Sequence, residues 1–399
     1  MISRDANGLA EVPKKVLFAA TVDFHFAKFH LPYLKWFKER GWEVHVAANG
    51  ELELPYVDKK HNLPIQRSPF KLQNAKAYSQ LRSIIDSNAY GIIHCHTPMG
   101  GALARWAARA ARRRGTKVLY TAHGFHFYNG SPLFNWLVYY PVEKALARYT
   151  DCLITINEED YNLAVRYRFK AGRIEHVHGV GVNDQLFKPA QEAQKQELRT
   201  KFGYRPDEFL MFYAAEFNPN KNQQMLIQAL ALIQHQAPRI KLLLAGSGLL
   251  AAHCKALAAE LGVENMVDFL GYRNDIKELL QMCDVAVASS YREGLPVNIL
   301  EAMGCGLPII ASLNRGHREL VKDGVNGYLV SNGDSRQFAD RMQQLSQSRA
   351  LCKQMGDESL RRVKPFSLSQ AGAELGRIYS HYVMEERDET ESQYYSAYI

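Results

Sequence analysis

The stretch Glu293-Gly-Leu-Pro-Val-Asn-Ile-Leu-Glu301 places two carboxylates eight residues apart, the first at a Gly-Leu-Pro turn. Just before it, Asp284-Val-Ala-Val-Ala-Ser-Ser290 is a short apolar run bounded by turn residues, which favours a buried strand of a parallel sheet. Pro296 suits the first turn of a helix, because its missing N–H would have no partner there anyway. The sequence therefore predicts a strand, a loop and a helix N-terminus, with one acid on the loop and one inside the helix.

This unit predicts a ligand that carries two kinds of chemical group. The free N–H groups at a helix N-terminus attract anions such as phosphates. A carboxylate at the same place repels a phosphate, so it needs another partner, and hydroxyl groups are the natural one because a carboxylate offers two acceptor oxygens. Glu293 and Glu301 beside such a helix end therefore indicate a ligand with both phosphate and sugar.

Length and composition limit the class of protein. A chain of 399 residues exceeds the usual single core, so we expect two domains. Its 47% apolar and 23% charged residues are ordinary for a globular protein. The six cysteines are scattered without a C-x-x-C pair, which favours reduced intracellular thiols over disulfides or a zinc site. No stretch reaches the roughly 18 apolar residues that cross a bilayer, and the start lacks the apolar core of a signal peptide.

The charge is distributed unevenly along the chain. Residues 1–190 hold 26 Lys and Arg against 16 Asp and Glu, whereas residues 191–399 hold 23 against 25. A basic half can attract nucleic acid, an anionic membrane or an anionic substrate. A solvated basic face explains the excess equally well, so composition alone leaves these four explanations open.

Strands and helices alternate regularly in both halves of the chain. This alternation predicts an α/β fold of two doubly wound domains with parallel sheets, joined near Gly179-Val-Gly-Val-Asn183. Ligands bind beyond the carboxyl ends of the strands in such domains, so we expect the site in the cleft between them. The predicted strands are Lys15–Ala20, Trp42–Ala48, Gly91–His96, Lys117–Ala122, Cys152–Ile156, Phe209–Ala214, Ile240–Ala245, Val267–Leu270, Asp284–Ser290, Pro308–Ala311 and Tyr328–Val330, and the predicted helices are Leu31–Arg40, Gly100–Arg114, Gln223–Gln236 and Leu249–Leu261.

Several blocks, in order, resemble the signature of family 4 glycosyltransferases of GT-B fold. The acid pair with Gly-Leu-Pro inside it, continued by Glu301-Ala-Met-Gly-Cys-Gly-Leu-Pro308, carries the resemblance most clearly. A lone pair of acids at this spacing arises easily by chance, but six ordered blocks do not. The other blocks are Val180-Gly-Val-Asn183 with Phe187-Lys-Pro189, Lys221-Asn222, Leu244-Ala-Gly-Ser-Gly248, Phe269-Leu-Gly-Tyr-Arg273 and Asn326-Gly-Tyr-Leu329.

The resemblance covers roughly residues 14–385 and implies a domain arrangement. It implies two Rossmann-like domains that face each other across a cleft: an acceptor-side domain at 12–182 and a nucleotide-sugar-binding domain at 183–368. A C-terminal helix at 369–385 would return to the first domain. Residues 1–11 and 386–399 are expected to be a disordered leader and tail, the latter acidic and then rich in tyrosine.

The resemblance also implies roles for individual residues of the second domain. Glu293 would accept hydrogen bonds from the donor sugar, and Glu301 from the ribose hydroxyls. Lys221 would neutralise the leaving diphosphate without a metal ion. The remaining residues of the implied site are Gly294, Leu295 and Pro296 at the helix end that meets the distal phosphate, Tyr272 and Arg273 in the loop that reads the base, and Gly246 in the glycine loop.

One position departs from the family pattern. Family members usually have an arginine about five residues before the phosphate lysine, whereas this chain has Glu216. A carboxylate cannot stabilise a leaving diphosphate directly. Either another cation serves, or Glu216 orients Lys221 or Asn218; the candidate cations are Arg273, Arg292 and Arg315.

The first half supplies histidines at predicted strand ends. His123, in Tyr120-Thr-Ala-His-Gly-Phe-His-Phe127, matches a family histidine that contacts the donor sugar, although a core histidine is the alternative. His126 is a weaker candidate. The pair in His94-Cys-His96 has a spacing that a metal ion could use, but the sequence offers no third ligand, so we favour a structural role for it.

The loop after the first strand lacks the glycine pair that many family members have there. Its Asp23 and His25 are candidates to face the acceptor hydroxyl. In the mechanism that the resemblance implies, the configuration at the sugar carbon is retained. The leaving phosphate then takes the acceptor proton, so no general base is strictly needed.

Aromatic and basic segments of the first half permit two explanations. Phe29–Lys38, Arg105–Arg114 and Phe134–Tyr140 can lie at an anionic membrane surface or pack in the core. An acceptor on a polyprenyl diphosphate would make the membrane contact functional. We therefore expect a cytoplasmic protein, with a peripheral position on the inner face of the plasma membrane as one alternative.

The function implied by the resemblance is retaining transfer of a hexose or N-acetylhexosamine from a nucleotide diphosphate sugar, with UDP expected on family grounds. The acceptor would be a glycan or lipid-linked glycan in exopolysaccharide, capsule or O-antigen assembly, with no metal, no further cofactor and no nucleic acid. Two alternatives remain. Leu244-Ala-Gly-Ser-Gly-Leu-Leu-Ala251 fits the G-x-G-x-x-A pattern of a dinucleotide-dependent oxidoreductase, and a non-catalytic sugar-binding protein can keep the same fold.

Overall fold

A computed structural model describes residues 13–383, which form two compact units. One unit extends to Val180 and resumes at Ala371, and the other is Gly181–Gln370. The division therefore falls within about two residues of each domain boundary that we placed from the sequence. The leader predicted at 1–11 and the tail predicted at 386–399 lie outside the described residues.

The first unit contains a seven-stranded sheet in the order β3-β2-β1-β4-β5-β6-β7, and every strand pairs in parallel with its neighbour. The central residues of the first strand, from Val16 to Ala20, are fully buried, as expected of a strand covered on both faces. The strands are β1 (Lys15–Val22), β2 (Glu43–Asn49), β3 (Lys59–Asn62), β4 (Ile92–His96), β5 (Lys117–Ala122), β6 (Cys152–Thr155) and β7 (Arg173–His176). The helices are α1 (Phe24–Phe29), α2 (Leu31–Glu39), α3 (Gln73–Asp86), α4 (Pro98–Ala107), α5 (Arg109–Arg113), α6 (Leu133–Leu146) and α7 (Glu158–Arg166).

The second unit contains a six-stranded parallel sheet in the order β10-β9-β8-β11-β12-β13. Its strands are β8 (Phe209–Ala214), β9 (Ile240–Ala245), β10 (Val267–Gly271), β11 (Val285–Ala288), β12 (Ile309–Ser312) and β13 (Gly327–Val330). Its helices are α8 (Glu192–Phe202), α9 (Gln223–Ile233), α10 (Ala251–Glu260), α11 (Ile276–Met282), α12 (Val297–Gly304), α13 (Arg315–Leu320), α14 (Ser335–Ser346) and α15 (Arg349–Val363). The last helix, α16 (Leu368–Val383), begins here and belongs to the first unit from Ala371 onward.

Each sheet reverses its winding direction beside its first strand. β1 lies between β2 and β4, and β8 lies between β9 and β11. The loops that leave the two strands at such a point diverge, and ligands of doubly wound folds bind in the crevice that this opens. The predicted α/β class with two doubly wound domains is confirmed, and the loops after β1, β4, β8 and β11 are the places to look for function.

Some element boundaries differ from the sequence prediction. α12 begins at Val297, and Pro296 precedes it as the cap residue with φ −78° and ψ 107°, so it is not a first-turn residue. The helix predicted from Gly100 to Arg114 is split at Ala108 into α4 and α5. β3 and β7 were not predicted, because their sequences Lys-Lys-His-Asn and Arg-Ile-Glu-His are too polar to read as strands.

The start of α4 packs directly on the end of β1. A Cβ atom built on Gly100 would lie 2.6 Å from the carbonyl carbon of Ala20 and 2.7 Å from its Cα. A Cβ atom on Gly101 would lie 2.4 Å from the ring of Tyr120. The two glycines therefore allow α4 to pack closely against the ends of β1 and β5.

We expect Gly100→Ala to lower the free energy of unfolding by about 1–3 kcal/mol, because the neighbouring atoms are main chain and cannot rotate away. Gly372→Ala is the matched control, since it also lies in a helix but has no heavy atom within 4 Å of the built Cβ. It should raise stability by roughly 0.5–1 kcal/mol through helix propensity alone. Urea denaturation of both variants measures the difference, and equal stabilities would contradict the close packing.

Candidate active site

The loops after β8 and β11 bring Lys221 and Glu293 into contact. Lys221 Nζ lies 2.6 Å from Glu293 Oε1, although the residues are 72 positions apart in the chain. Their side chains are only 22% and 15% exposed. A charge-assisted hydrogen bond between partly buried groups is shorter and stronger than a neutral one. The sequence named both residues, and the structure places them in one site.

Hydrogen bonds between the two loops hold this pair. The Ser289 hydroxyl donates to the carbonyl of Lys221 at 2.7 Å. The amide of Tyr291 donates to the carbonyl of Asn220 at 2.8 Å. In the opposite direction, the side-chain amide of Asn220 donates to the carbonyl of Arg292 at 3.0 Å. Because three bonds join the backbones on either side of the pair, neither loop can move without the other.

A buried tyrosine lies beneath the pair. The hydroxyl of Tyr213, at the end of β8, is 2.7 Å from the Ser290 hydroxyl. Burial raises the pKa of Tyr213, and the charge of Glu293 raises it further, so this hydroxyl stays protonated at neutral pH. It is therefore a hydrogen-bonding support for the loops and not a proton donor for chemistry.

The N-terminus of α12 follows the Glu293 loop. Gly294, Leu295 and Pro296 lead into it, and the cap residue Pro296 makes no side-chain hydrogen bond to the helix. The N–H of Ile299, in the first turn, donates to the side-chain oxygen of Asn298 at 3.0 Å. The Asn298 side chain donates to the carbonyl of Ala214 at 3.1 Å, which fastens the start of the helix to the end of β8. The N–H groups of a helix N-terminus attract anions, so the start of α12 is suited to bind a phosphate.

Glu301 is the fifth residue of α12. It lines a small cavity together with Asn298, Ala214 and Ile276. Because Asn298 and Ala214 also anchor the start of the helix, the second acid borders the same end of the sheet as the first.

A second cation lies beside Glu293. Arg315 opens α13, is 6% exposed, and its Nε donates to the carbonyl of Glu293 at 3.3 Å. The next residue must be glycine, since a Cβ on Gly316 would lie 2.7 Å from the Cβ of Glu293. Of the three arginines proposed from the sequence, Arg273 is bound to Asp275 through its Nε at 2.8 Å. Arg315 is the one whose guanidinium contacts the Glu293 loop.

Glu216 is linked to Lys221 through a third residue. Asn218 donates from its side-chain amide to Glu216 Oε2 at 3.1 Å, and its carbonyl oxygen accepts the backbone N–H of Lys221, also at 3.1 Å. The loop that carries Lys221 is thus shaped by Asn218 and Glu216 together. These contacts are compatible with the orienting role that the sequence suggested for Glu216.

The glycine loop after β9 supports the same segment. A Cβ on Gly246, whose φ is +144°, would lie 2.0 Å from the carbonyl oxygen of Ala215. The backbone N–H of Phe217 donates to the carbonyl of Ser247 at 2.9 Å. Close packing of two main-chain segments therefore accounts for this glycine without a dinucleotide.

Tyr272 and Arg273 follow β10, which is an edge strand of the second sheet. The side chain of Tyr272 is 70% exposed. Arg273 is held by Asp275 in an ion pair that spans two residues. Neither Tyr272 nor Arg273 is among the described hydrogen-bond or ion-pair partners of Lys221 and Glu293. Both residues lie at the edge of the sheet.

A buried histidine, His317, lies two residues after Arg315 in α13. Its Nδ1 is 2.6 Å from the carbonyl oxygen of Ser312, which can only accept, and 2.9 Å from the side-chain nitrogen of Asn314, which can only donate. Burial lowers the pKa of His317, and the nearby charge of Glu293 offsets only part of this effect. The ring is therefore neutral in the folded protein at neutral pH.

Four histidines meet in the first unit. His123 follows β5, and its Nε2 is 3.4 Å from Nδ1 of His96 at the end of β4. His25 in α1 and His30 between α1 and α2 approach each other at 3.0 Å between their Nε2 atoms. One nitrogen of each ring lies within 4.8 Å of one from every other ring. We call these four residues the histidine cluster.

The histidine cluster is uncharged. Burial lowers the pKa of His25 to about 4 and holds the pKa values of His30, His96 and His123 well below their ordinary value. Each ring is consequently a neutral imidazole with one nitrogen that can accept. The sequence had offered no third ligand for His96, whereas the fold supplies three more imidazoles.

The other residues proposed for this side have structural partners. His94 uses both ring nitrogens, at 2.8 Å from the Tyr379 hydroxyl and 2.8 Å from Thr121 Oγ1. Asp23 accepts hydrogen bonds from Lys60 and from the backbone of Leu52. Burial would raise the pKa of Asp23, but these hydrogen bonds lower it below its ordinary value. Asp23 is therefore poorly suited to act as a base.

A cavity of about 510 Å³ opens beyond the ends of β1, β4 and β5. His25 and His126 border it, and the ring of His126 stacks on Tyr139 with centroids 4.6 Å apart. Its other walls are mostly apolar and include Phe24, Phe29, Pro98, Met99, Ala102, Phe125, Val138 and Val142.

Part of α6 is apolar and exposed. Leu133, Phe134 and Leu137 expose 72%, 59% and 68% of their surface. Within residues 13–383, no helix has both the length and the apolar character to cross a bilayer. The segment Phe134–Tyr140, for which the sequence left a membrane contact or core packing open, is thus divided. Tyr139 and Tyr140 pack against the core of this unit, whereas Phe134 and Leu137 are exposed.

Comparison with known proteins identifies the family. Residues 33–183 match the family described as Glycosyltransferase Family 4, and residues 194–362 match the one described as Glycosyl transferases group 1. The putative glycosyltransferase EpsD of Bacillus subtilis (strain 168) is 54% identical over 370 residues, which are 93% of this chain and 97% of EpsD. The chain belongs to glycosyltransferase family 4.

Other relatives of this family 4 glycosyltransferase are more distant. The UDP-Gal:alpha-D-GlcNAc-diphosphoundecaprenol alpha-1,3-galactosyltransferase of Escherichia coli is 29% identical over 285 residues, covering 70% of this chain and 72% of the relative. Anabaena HepE, solved in complex with UDP and glucose, has a TM-score of 0.75 at 21% identity and covers 92% of this chain and 99% of its own. Sucrose-phosphate synthase from Thermosynechococcus elongatus has a TM-score of 0.74 at 21% identity, with 93% and 100% covered.

These likenesses confirm the predicted GT-B fold of this glycosyltransferase. The oxidoreductase alternative is wrong, because the family is one of transferases and the glycine loop that suggested a dinucleotide is explained by packing.

We expect His317→Gln to change how the stability of this glycosyltransferase depends on pH. The ordinary histidine pKa of 6.5 is lowered in the folded state, so as the pH falls below about 6.5 the unfolded chain takes up a proton that the folded one refuses. The neutral ring therefore stabilises the fold above this pH, and that contribution is lost on acidification by at most about 1.4 kcal/mol per pH unit.

Urea denaturation at pH 7.5 and 5.5 measures this change. The stability advantage of the wild type over His317→Gln should shrink at the lower pH. His253→Gln, at an exposed position of α10, should leave the pH dependence of the wild type unaltered. If His317→Gln and the wild type lost the same free energy of unfolding between pH 7.5 and pH 5.5, the result would contradict a buried neutral ring at His317.

Proposed function

We propose that this glycosyltransferase transfers a hexose or N-acetylhexosamine from a UDP-sugar to a glycan acceptor carried on a polyprenyl diphosphate, with retention at the sugar carbon, in exopolysaccharide assembly. The observation that carries the proposal is the Lys221–Glu293 pair, because Glu293 lies in the loop that leads directly to the N-terminus of α12. The site joins a cation, a carboxylate and free N–H groups, which suit the phosphates and the hydroxyls of one donor.

The ion pair explains how both groups can be kept ready for the donor. Without a ligand, Lys221 and Glu293 neutralise each other at 2.6 Å, so neither charge is left unpaired in a partly buried site. The diphosphate of the donor then gives Lys221 an alternative anion. Glu293 is released to accept hydrogen bonds from the sugar hydroxyls, which are donors that a carboxylate binds well.

Departure of the nucleoside diphosphate develops negative charge that the site can stabilise. Lys221, Arg315 and the N–H groups at the start of α12 converge around Glu293. Fixed positive groups aimed at developing charge are the most effective kind of transition-state stabilisation. We therefore propose that no divalent cation is required on the diphosphate, and that Arg315 takes the place of the arginine that family members have at position 216.

The proton of the acceptor would pass to the leaving phosphate on the same face of the sugar. This route needs no side-chain base, which fits the engagement of Asp23 by Lys60 and the depressed pKa values of His25 and His123. His123 would contribute a hydrogen bond to the donor sugar. Glu301 would hold the ribose, and Tyr272 with Arg273 would contact the base.

The acceptor is assigned to the first unit. Its cavity of about 510 Å³ has mostly apolar walls, which suit the first isoprenes of a lipid or the apolar faces of a sugar. The exposed residues Leu133, Phe134 and Leu137 of α6 offer an apolar contact for a membrane surface. We propose a cytoplasmic enzyme that meets the inner face of the plasma membrane, and no nucleic-acid partner. The Escherichia coli relative, named for a UDP-Gal donor and a diphosphoundecaprenol acceptor, supports this choice.

We expect Lys221→Met and Glu293→Gln each to lower kcat by about 10²–10³-fold, the loss typical of removing one preorganised group that stabilises the transition state. Lys195→Met is the matched control. Lys195 is 21% exposed, as Lys221 is 22% exposed, and it also forms an ion pair, at 2.7 Å to Asp284. Transfer and donor hydrolysis should persist in this control. Full activity in Lys221→Met or Glu293→Gln would exclude the proposed site and favour a non-catalytic role for the pair.

A second expectation concerns the donor. UDP-sugars should raise the melting temperature of the wild type, because a ligand that binds only the native state stabilises it by RT ln(1 + [L]/Kd). A panel of UDP-, GDP- and ADP-sugars in a thermal-shift assay without added divalent cations identifies the base. Lys221→Met should show a smaller shift with the same donor. If none of the panel moves the melting temperature, the donor assignment is wrong.

A further inference from the structure

The histidine cluster is assembled from three separate parts of the first unit. His25 and His30 come from the helical segment after β1, His96 from the end of β4, and His123 from the residue after β5. No short motif in the sequence joins them, and the proposed transfer of a sugar uses only His123. We propose that His25, His30, His96 and His123 form a four-coordinate site for a zinc ion.

The distances between ring nitrogens fit such an ion. Zinc bonds to histidine nitrogen at about 2.0–2.1 Å, so two nitrogens of a tetrahedral site lie about 3.4 Å apart. The His25–His30 pair is at 3.0 Å and the His96–His123 pair at 3.4 Å. All four nitrogens lie within 4.8 Å of one another, so small side-chain rotations would close the remaining edges.

The rings are buried and incompletely satisfied. His30 is 2% exposed and His96 is fully buried, and among the described residues the ring nitrogens outside the His25–His30 and His96–His123 contacts, Nδ1 of His30 and Nε2 of His96, have no hydrogen-bond partner. Unpaired buried polar atoms cost free energy and are rare in native proteins. Four imidazoles are therefore a costly way to fill a core, since apolar rings would occupy the same space without unpaired nitrogens.

Aromatic neighbours hold the rings in place. The ring of Phe18 stacks on His96 with an angle of 3° between the planes, and Phe26 meets His96 edge-on at 82°. The rings of His30 and His96 have centroids only 4.0 Å apart. Side chains locked by packing do not have to be ordered when an ion binds, which favours affinity.

Neighbouring groups that could compete as ligands are excluded by their own contacts. Both nitrogens of His94 are hydrogen-bonded, to Tyr379 and Thr121. The thiol of Cys95 donates to the carbonyl of Leu119. The donor set is therefore four neutral imidazoles, which suit zinc, copper and nickel and not magnesium or calcium. We choose zinc among them because it prefers four-coordinate tetrahedral sites and is commonly bound by histidine.

A bound ion would join the segment that contains α1 to the ends of β4 and β5. It would also fix the protons of the rings, because the nitrogen that binds the metal cannot carry one. Coordination through Nε2 of His123 would leave the proton on Nδ1, so that this ring could only donate to a ligand. A zinc ion at this place would depart from our expectation from the sequence that the chain holds no metal.

Zinc uptake by the chain without a histidine tag tests the proposal. The protein is stripped with a chelator, titrated with ZnCl₂ and desalted, and its metal content and melting temperature are measured. We expect one zinc ion per chain and a melting temperature raised by about 5 °C at saturating metal. Cobalt uptake should give the visible ligand-field absorption of a four-coordinate ion. Failure to retain stoichiometric zinc would overturn the proposal.

Variants distinguish this site from adventitious binding. His25→Gln, at a partly exposed position, and His30→Phe should each weaken zinc binding by more than about 100-fold and abolish the cobalt absorption. His61→Gln is the matched control, because it removes one ring of another close histidine pair, His45 and His61, at 3.5 Å. It should bind zinc as the wild type does. If His25→Gln bound zinc as tightly as the wild type, or if His61→Gln lost as much zinc affinity as His25→Gln, zinc would bind elsewhere. If His30→Phe does not fold, the result for His25→Gln alone tests the proposal.

Discussion

The parallel pairing of strands that are distant in the chain is the constraint on which the site depends. β8 pairs with β11, with Met211 opposite Val285 and Phe212 opposite Ala286. All strands of the sheet are parallel, so the loops that leave β8 and β11 emerge side by side at the same edge. Lys221 and Glu293 meet for this reason, and three hydrogen bonds between the loops keep them together.

Parallel strand pairing also positions the side chains of the first unit, but there it brings together histidines instead of a lysine and a carboxylate. β4 lies between β1 and β5, with Ala19 opposite Cys95 and His96 opposite Thr121. The strand ends therefore gather the histidines that follow β1, β4 and β5, whereas the corresponding edge of the second unit gathers charged groups. Burial explains the contrast in protonation, because neutral imidazoles tolerate a desolvated cluster and a lysine there needs the carboxylate partner that Glu293 supplies.

Sequence reasoning was most accurate for the central strands. β5, β8 and β9 have the predicted bounds, since long apolar runs between polar turns permit few alternatives. It missed the short strands β3 and β7. Lys59–Asn62 and Arg173–His176 contain mostly polar residues and become strands only because a neighbouring strand edge offers hydrogen-bond partners. The break at Ala108 between α4 and α5 was likewise not visible in a segment rich in alanine and arginine.

For the candidate site, too, some features could be predicted from the sequence and others only from the structure. The sequence by itself determined the fold class, the family and the identity of Lys221, Glu293, Glu301 and His123 as candidates, because these depend on periodicity and on local motifs. Only the tertiary structure decided which groups touch one another. Arg315 beside Glu293, Asn218 between Glu216 and Lys221, and the meeting of His25, His30, His96 and His123 all depend on contacts between segments far apart in the chain. The register of the sheets and the packing of loops set such contacts, and neither is encoded in any single stretch of sequence.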